Sequence, residues 1–588
     1  MPKTFPQLIS DSYQRRREGF QAAHSDPDWL AKRLAEFPNY PLFAEHLQLL
    51  WGTSDFVGEQ SETYPEMFQQ LVDSGDLQRS YSREDFQQAI SQRLLHLKDA
   101  VNEDQLARAL RQFRRREQVR IIWRDFSRQA SMPETTRELT WMAEAAITVS
   151  LDRLHQITCE ELGTPFNGTD QGALGQKMLV LAMGKMGAEE LNLSSDIDLI
   201  FAYPEKGETR RSATSPRGKT VSHQEFFTRL GQKLIAALDR QTADGFVFRV
   251  DMRLRPYGQS GALVMSFDAL EEYYLTQGRE WERFAMVKAR AVAGESRDIQ
   301  QLDEILRPFV YRKYLDFGAI DALRDLKRSI NRELKRKGMQ TDIKLGPGGI
   351  REIEFITQAF QLVRGGRNSA LQIPSLYQAL QQLGADQIID SSDCDSLWNA
   401  YSFLRNTEHA LQGIADKQTQ QLPEDELSQQ RVALIVGCDS WADFQQQLQG
   451  HRDYVMSVFG DMFADPDTQA DDKDADGKDL DYESFWRQTP ELAELLEHLL
   501  AAGYGEPQAV AEQLYGIYQS KAVLGLDLEP RSRLDKLMPN IVTACAVVDN
   551  NSLTLSREVG LIKAVLRRSA YLVLLAENPT ALQQLVLL

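Results

Sequence analysis

The amino-acid sequence predicts a predominantly helical α+β protein with one mixed β-sheet set among helical bundles. Apolar residues recur at helical spacing through the first 150 residues and again from about residue 300 to 460. Convincing strand patterns lie only between about residues 160 and 300. The length of 588 residues leaves room for three or four domains around this single sheet.

The expected domain order follows from these patterns. We expect a helical region over residues 1–150, the sheet domain over 151–300 and a helical bundle over 301–463. Residues 464–482 are predicted to be an acidic linker, because ADPDTQADDKDADGKDLD contains eight aspartates and almost nothing apolar. Residues 483–588 are predicted to be helical. Their strongly apolar end, SAYLVLLAENPTALQQLVLL, would need a cover, so we expect a fragment of something longer.

The predicted sheet is read from three segments in chain order. MLVLAM, residues 178–183, is a short apolar run that ends at a glycine turn, as a buried strand does. Ser222 and Glu225 form a capping-box pattern ahead of a helix from about residue 223 to 240. FVFRVDM, residues 246–252, then alternates as a strand and places Asp251 among apolar residues.

The most informative motif is Asp196-Ile197-Asp198, inside the apolar end of GKMGAEELNLSSDIDLIF. On a strand, carboxylates at i and i+2 share one face with roots about 6.6 Å apart. They can ligate two hard cations about 3.5–4 Å apart, the arrangement used for in-line phosphoryl chemistry. An isolated Asp-x-Asp is more often a solvated strand edge. Asp251 as a third carboxylate, in this order of elements, indicates a nucleotidyltransferase fold of the polymerase-β-like type with Mg²⁺ ligands Asp196, Asp198 and Asp251.

Small and basic residues flank these carboxylates and suit a phosphate ligand. Glycines let backbone N–H groups approach phosphate oxygens, and arginines can hold those oxygens bidentately. The competing interpretation for each basic residue is a surface ion pair. The residues predicted on this basis are Gly184, Gly187, Ser194, Ser195, Arg253 and Arg255.

Charge and composition exclude several classes of protein. The net charge of −18 argues against a general nucleic-acid binder. Two basic stretches, Arg108 to Arg124 and Arg324 to Lys337, are interpreted first as solvated helix faces, and otherwise as surfaces for a nucleotide or an acidic partner. Four scattered cysteines without a C-x-x-C pair favour reduced thiols in a cytoplasm. No apolar run approaches about 18 residues, so no membrane span is predicted.

A glycine-rich turn interrupts the later helices at KLGPGGIREIE. It lacks the Lys-Ser/Thr that would follow in a P-loop, so we interpret it as the tight turn that starts a helix. Arg351 and Glu354 lie three residues apart on that helix and are expected to pair. The same two residues could also contact substrate.

At this point the sequence resembles a known family, the bifunctional glutamine synthetase adenylyltransferases. The resemblance rests on GKMGAEELNLSSDIDLIF, VDMRLRPYGQSGALVMSF, GREWERFAMVKARAVAG and GPGGIREIEFITQ, and extends to RQFRRREQVRIIWRD and LRNTEHALQ. In that family, one nucleotidyltransferase domain removes AMP from a tyrosine of glutamine synthetase by phosphorolysis and a second adds it from ATP. This sequence shows one Asp-x-Asp domain, which resembles the adenylyl-removing one, so the second is expected to be missing.

The resemblance implies a chemistry, a cofactor and partners. Phosphate would attack the α-phosphorus of adenylyl-tyrosine and release ADP, with a two-metal Mg²⁺ site at Asp196, Asp198 and Asp251. Lys185 and Lys288 become further, weaker candidates for phosphate contacts. Glutamine synthetase and a PII-type signalling protein are the expected protein partners in nitrogen control. The alternatives are adenylylation from ATP, or a regulatory module that senses a PII-type protein or glutamine.

Overall fold

The computed structural model describes residues 5–95, 102–166, 175–211, 220–312, 341–462, 492–520, 523, 528–546 and 550–565. Contacts divide the chain into two compact units, residues 1–463 and 464–588. The predominantly helical α+β class is confirmed, since short strands stand among long helices throughout the first unit. The finer boundaries near residues 150 and 300 stay predictions. The predicted acidic linker lies almost wholly outside the described residues.

The first unit begins with helices, as the apolar spacing predicts. Helix α7 starts at a capping box in which Asn102 and Gln105 satisfy each other's backbone N–H groups. Helix α8 starts with a proline in its first turn, where the missing N–H costs nothing. The helices are α1 Gln7–Ala23, α2 Trp29–Ala35, α3 Phe43–Thr53, α4 Asp55–Thr63, α5 Pro65–Asp73, α6 Arg83–Leu95, α7 Glu103–Phe126 and α8 Met132–Leu162.

The strands come next, between residues 164 and 293, and most of them form one mixed sheet. In this sheet β2 lies between β3 and β7, antiparallel to both, while β5 and β6 both run parallel to β3. The strands β1 and β4 form a separate antiparallel pair. The strands are β1 Thr164–Pro165, β2 Leu179–Ala182, β3 Ile197–Tyr203, β4 Thr209–Arg210, β5 Val250–Asp251, β6 Val264–Ser266 and β7 Arg290–Ala293.

Helices lie between and after these strands. The predicted capping residue Ser222 accepts a hydrogen bond from the backbone N–H of Glu225 and starts α10 at the expected place. The helices are α9 Gly184–Gly187, α10 His223–Asp239, α11 Phe267–Thr276, α12 Glu280–Met286, α13 Ser296–Val310, α14 Ile350–Arg364, α15 Leu376–Ala385, α16 Ser391–Gly413, α17 Glu426–Val436 and α18 Trp441–Met462.

The buried strand predicted at residues 178–183 is confirmed, with all four residues of β2 buried. The strand predicted over residues 246–252 is wrong in its length, because only Val250 and Asp251 pair as β5. The residues before it are held in a turn instead, where Gly245 and Thr242 bond each other's backbone and the N–H of Val247 reaches the carbonyl of Leu238. Alternating apolar residues do not by themselves supply a neighbouring strand.

The arginine-rich stretch of α7 is mostly buried, so the prediction of a solvated helix face is wrong there. Arg120 is fully buried and forms ion pairs with Glu117 at 2.8 Å and with Glu138 of α8 at 2.7 Å. Arg124 bonds the other oxygen of Glu138 at 2.9 Å. This network ties α7 to α8. The second basic stretch, residues 324–337, lies outside the described residues.

The second unit is helical where it is described, as predicted. Its helices are α19 Leu492–Ala501, α20 Pro507–Tyr518, α21 Leu528–Ala546 and α22 Asn551–Val565. They enclose their own hydrophobic core, which includes Leu514, Leu534, Ile541 and Ile562. Across the described residues of both units, no helix is long and apolar enough to cross a bilayer.

Candidate active site

Three carboxylates meet at the edge of the sheet where β3 begins. Asp198 lies in β3, and Asp196 immediately precedes that strand. The parallel register pairs Ile197 with Val250 and Asp198 with Asp251 of β5. The i and i+2 aspartates and the third one, distant in sequence, are therefore brought to one edge, as the sequence pattern predicts.

The carboxylates affect one another's protonation. Burial, and then the nearby charges of Asp251 and Asp196, raise the pKa of Asp198 to about 6. Burial works in the same direction on Asp251, but hydrogen bonds from Arg253 outweigh it and lower the pKa of that carboxyl. The cluster therefore holds one carboxylate that is costly to ionise unless a cation approaches it.

Two arginines already engage the outer carboxylates. Nε of Arg253 donates to Oδ2 of Asp251 at 2.7 Å, and its backbone N–H donates to Oδ1 at 2.8 Å. Nε of Arg249 lies 3.3 Å from Oδ1 of Asp196. With the side chains in these positions, no group of three His, Cys, Asp or Glu residues in the described ranges is arranged to hold a metal ion. The donor set of carboxylate oxygens nevertheless suits a hard divalent cation, which would relieve the repulsion at Asp198.

A cavity of about 390 Å³ opens beside the carboxylates. Arg253 stands at it with an exposed side chain, 69% accessible, and can reach a ligand. Arg255 is spent differently, because its Nη1 donates to the carbonyl of Met252 at 2.7 Å and its Nη2 to that of Gln259 at 3.1 Å. The cavity is lined by Asp196, Arg249, Val250, Asp251, Met252, Arg253, Arg255, Gln259 and Gln418.

The glycine turn after β2 approaches the carboxylates closely. Gly184 has φ +54°, and a Cβ added there would lie 3.1 Å from Oδ2 of Asp198. At Gly187 a Cβ would lie 1.8 Å from the carbonyl oxygen of Lys288, so only glycine fits. The turn is thus packed between Asp198 and β7, and phosphate contact by its backbone stays a prediction.

The predicted serines and lysines are placed mainly in structural contacts. Ser194 is buried, and its backbone N–H donates to Gln412 while its hydroxyl donates to the carbonyl of Asp416. Ser195 adjoins it and is partly buried. The ammonium of Lys185 lies 2.8 Å from Glu408 of α16. Burial lowers the pKa of Lys185 to about 7, while the lysine charge outweighs burial at Glu408 and lowers its pKa to about 2.

Lys288 is buried between two carboxylates, 2.7 Å from Glu354 and 3.1 Å from Glu190. Burial opposes its charge, but these carboxylates outweigh burial and raise its pKa. The geometry therefore assigns Lys288 to an ion-pair network rather than to a ligand. The same contacts correct the pairing expected on α14, since Glu354 pairs with Lys288 and Arg351 is exposed. Helical spacing shows which residues share a face, but not which neighbouring element supplies a stronger partner.

The sequence prediction missed Arg249 and Gln418, which both line the cavity. Arg249 stands two residues before Asp251, so alternation along FVFRVDM could have placed it on the same side as that carboxylate. Gln418 lies far away in the chain, just after α16, and offers no local signal. Glu190 and Glu408 were also missed as partners of the two lysines, although both stand inside motifs already singled out.

Comparisons with known proteins agree with this geometry. A family model described as glutamate-ammonia ligase adenylyltransferase matches residues 44–305, which include all three carboxylates. The chain is similar to that family over this range. A second model, described as GlnD PII-uridylyltransferase, matches residues 324–463. Where that range is described, it is helical, with one isolated β-bridge between Asp342 and Gln421 and no strand.

Full-length similarity points to the same proteins. The bifunctional glutamine synthetase adenylyltransferase/adenylyl-removing enzyme of Pseudomonas syringae pv. tomato is 46% identical over 99% of this chain and 59% of its own length. The protein of that name from Pseudomonas putida is 46% identical over 93% and 55%. The one from Nitrosococcus oceani is 43% identical over 100% and 58%. The chain thus spans well under two thirds of each of these relatives.

Proposed function

We propose that this chain is a nucleotidyltransferase that removes AMP from adenylyl-tyrosine of glutamine synthetase by phosphorolysis. The observation that carries the proposal is the pairing of Asp198 with Asp251 across parallel strands, with Asp196 alongside and an arginine-lined cavity next to them. The relatives' names supply the substrate and the two directions of adenylyl transfer. The direction proposed here rests on the resemblance of the Asp-x-Asp domain to the adenylyl-removing one.

The reaction balances without a side-chain nucleophile. An oxygen of monohydrogen phosphate forms a bond to the α-phosphorus as the bond from that phosphorus to the tyrosine oxygen breaks. ADP leaves with the new anhydride bond, and the phosphate proton ends on the phenol. Because the phenol has a pKa near about 10, charge on its oxygen must be stabilised as the bond breaks.

The chain's own residues bind and orient the reactants. Arg253, whose side chain is exposed at the cavity, holds the incoming phosphate, and Arg249 lies across the cavity from it beside Asp196. Mg²⁺ held by Asp196, Asp198 and Asp251 would neutralise charge on the transferred phosphoryl group. Exclusion of water keeps phosphate as the acceptor, so ADP rather than AMP is the product.

The test uses the full chain with adenylylated glutamine synthetase, Mg²⁺ and phosphate, and measures ADP release. Asp198→Asn should lower the rate by about 100-fold or more, because the central metal ligand is lost. Asp152→Asn, at an exposed position on α8, is the matched control and should retain the rate. Absence of ADP from the intact chain would reject removal of AMP, and transfer of labelled AMP from ATP to glutamine synthetase would instead establish the adenylylating direction.

A further inference from the structure

A second cavity, of about 300 Å³, lies among α4, α7, the loop at residues 241–246 and Asp416. We call it the arginine cleft, lined by Tyr64, Arg111, Arg114, Arg115, Phe246 and Asp416. We propose that the arginine cleft binds a small oxyanion that also carries a hydrogen-bond donor, and that residues 416–418 carry its occupancy to Asp196. The second half of the proposal rests on the proposed function, because it takes Asp196 as a metal ligand.

The charge of the cleft favours an anion. Arg114 pairs with Asp416 at 2.7 Å, and Arg115 lies 3.6 Å from Asp244. Arg111 donates instead to the backbone carbonyls of residues 107, 237, 240 and 245, and it forms no carboxylate ion pair within the described residues. Three guanidinium groups therefore face two carboxylates. The surplus positive charge stands out in a chain whose net charge is −18.

The floor of the cleft offers a donor and an acceptor side by side. In the described structure Nε of Arg114 and Oδ1 of Asp416 are both buried and have no hydrogen-bond partner. Arg115 is stacked 3.6 Å above the ring of Tyr64, which holds its planar guanidinium ready at the opening. An oxyanion that also bears an O–H group matches this set. Monohydrogen phosphate and a small hydroxycarboxylate share that chemistry.

The segment below the cleft leads directly to the carboxylates. Asp416 has φ +49°, a left-handed conformation that is strained for a residue other than glycine. Its carbonyl accepts the Ser194 hydroxyl at 3.1 Å, and the Ser194 carbonyl accepts Arg249 at 2.8 Å. Arg249 in turn pairs with Asp196. Two residues beyond Asp416, Gln418 lines the carboxylate cavity, so this segment borders both sites.

An aromatic ring provides a second link between the two cavities. The guanidinium of Arg114 lies 4.6 Å from the centre of the Phe246 ring, and that of Arg249 lies 5.2 Å from the same centre. An anion that draws Arg114 away from Asp416 would disturb both the ring and the carbonyl partner of Ser194. Arg249 would then hold Asp196 less firmly, and the carboxylate would become freer to bind a cation.

Binding is tested by calorimetric titration of the full chain with inorganic phosphate and, separately, with malate. Arg115→Gln should weaken binding of the ligand by about tenfold, whereas Arg253→Gln, at the other cavity, should leave that binding within about twofold. Arg115→Lys keeps the charge and should retain weaker but measurable binding. The stronger of the two ligands identifies the source. Absence of binding of either up to about 10 mM, or loss only in Arg253→Gln, would overturn the site.

The coupling is tested by Mn²⁺ affinity at the carboxylates, with and without the ligand that binds. Saturation of the cleft should raise Mn²⁺ affinity by about fivefold in the unmodified chain and should have no effect in Arg115→Gln. An equal Mn²⁺ affinity in both conditions would overturn the connection through residues 416–418. Because neither measurement uses adenylylated protein, their outcome is independent of whether the chain releases ADP.

Discussion

At the scale of single residues, the carboxylate cluster is balanced by arginines rather than left open. Asp251 is held by Arg253 and Asp196 by Arg249, while Asp198, between them, carries the raised pKa. A cation that binds all three carboxylates must displace these arginines, and the freed guanidinium groups then face the phosphate in the cavity. The same side chains therefore serve two states of the site.

This exchange predicts opposite effects of one substitution on two measurements. Arg253→Gln should raise Mn²⁺ affinity by about two- to fivefold, because an exposed competing ion pair is worth at most about 1 kcal/mol. It should lower the rate of ADP release, because a phosphate contact is lost. Arg229→Gln, an exposed residue paired with Glu225 on α10, is the control and should change neither. A fall in both quantities would show that Arg253 only supports the fold of its loop.

The raised pKa of Asp198 predicts a pH dependence. Metal binding requires the ionised carboxylate, so Mn²⁺ affinity should fall by about tenfold per pH unit below about pH 6. In the free protein the sign for stability is the reverse. The folded pKa lies above the ordinary value, so the contribution to stability is present at low pH and lost as pH rises through about 6. Mn²⁺ titrations from pH 5 to 7.5 check this, and a flat profile would contradict it.

At the scale of elements, the sequence could predict which segments form the site but not how they are held. Period-two alternation and the glycine turn locate β2 and β3, and the register then follows from burial of their apolar faces. Nothing local in LRNTEHALQ shows that Glu408 on α16 will meet Lys185 of α9. Likewise, the arginines of α7 are polar in the sequence, and only packing against Glu138 of α8 makes their burial tolerable.

The glycine turn gives a matched pair of substitutions. Gly187→Ala should lower the free energy of unfolding of the first unit by about 1–3 kcal/mol, because the new Cβ meets the backbone of β7's approach at Lys288. Gly450→Ala on α18 meets nothing within 4 Å and should stabilise it by about 0.5–1 kcal/mol. Urea unfolding followed by circular dichroism measures both. Equal small effects would mean that the turn adjusts without strain.

At the scale of the whole molecule, the site belongs to the first unit alone. The carboxylates, their arginines and the ion pairs of both lysines all lie between residues 185 and 408. The hydrophobic clusters follow the same division, since the described core residues of the first unit end at Phe459 and those of the second begin at Leu495. Sequence composition foresaw this break, because the run of aspartates between the two cores cannot bury apolar surface.

Separate cores predict separate folding. A chain ending at residue 463 should therefore fold by itself, with a thermal transition within a few degrees of the corresponding transition in the full chain, because none of its described core residues is removed. Its Mn²⁺ affinity should stay within about twofold, since all carboxylates and their arginines remain. Scanning calorimetry and Mn²⁺ titration of the two chains make the comparison, and Asp198→Asn in the shorter chain supplies the control for non-specific metal binding. A shorter chain that unfolds or loses Mn²⁺ affinity would show that the second unit supports the site.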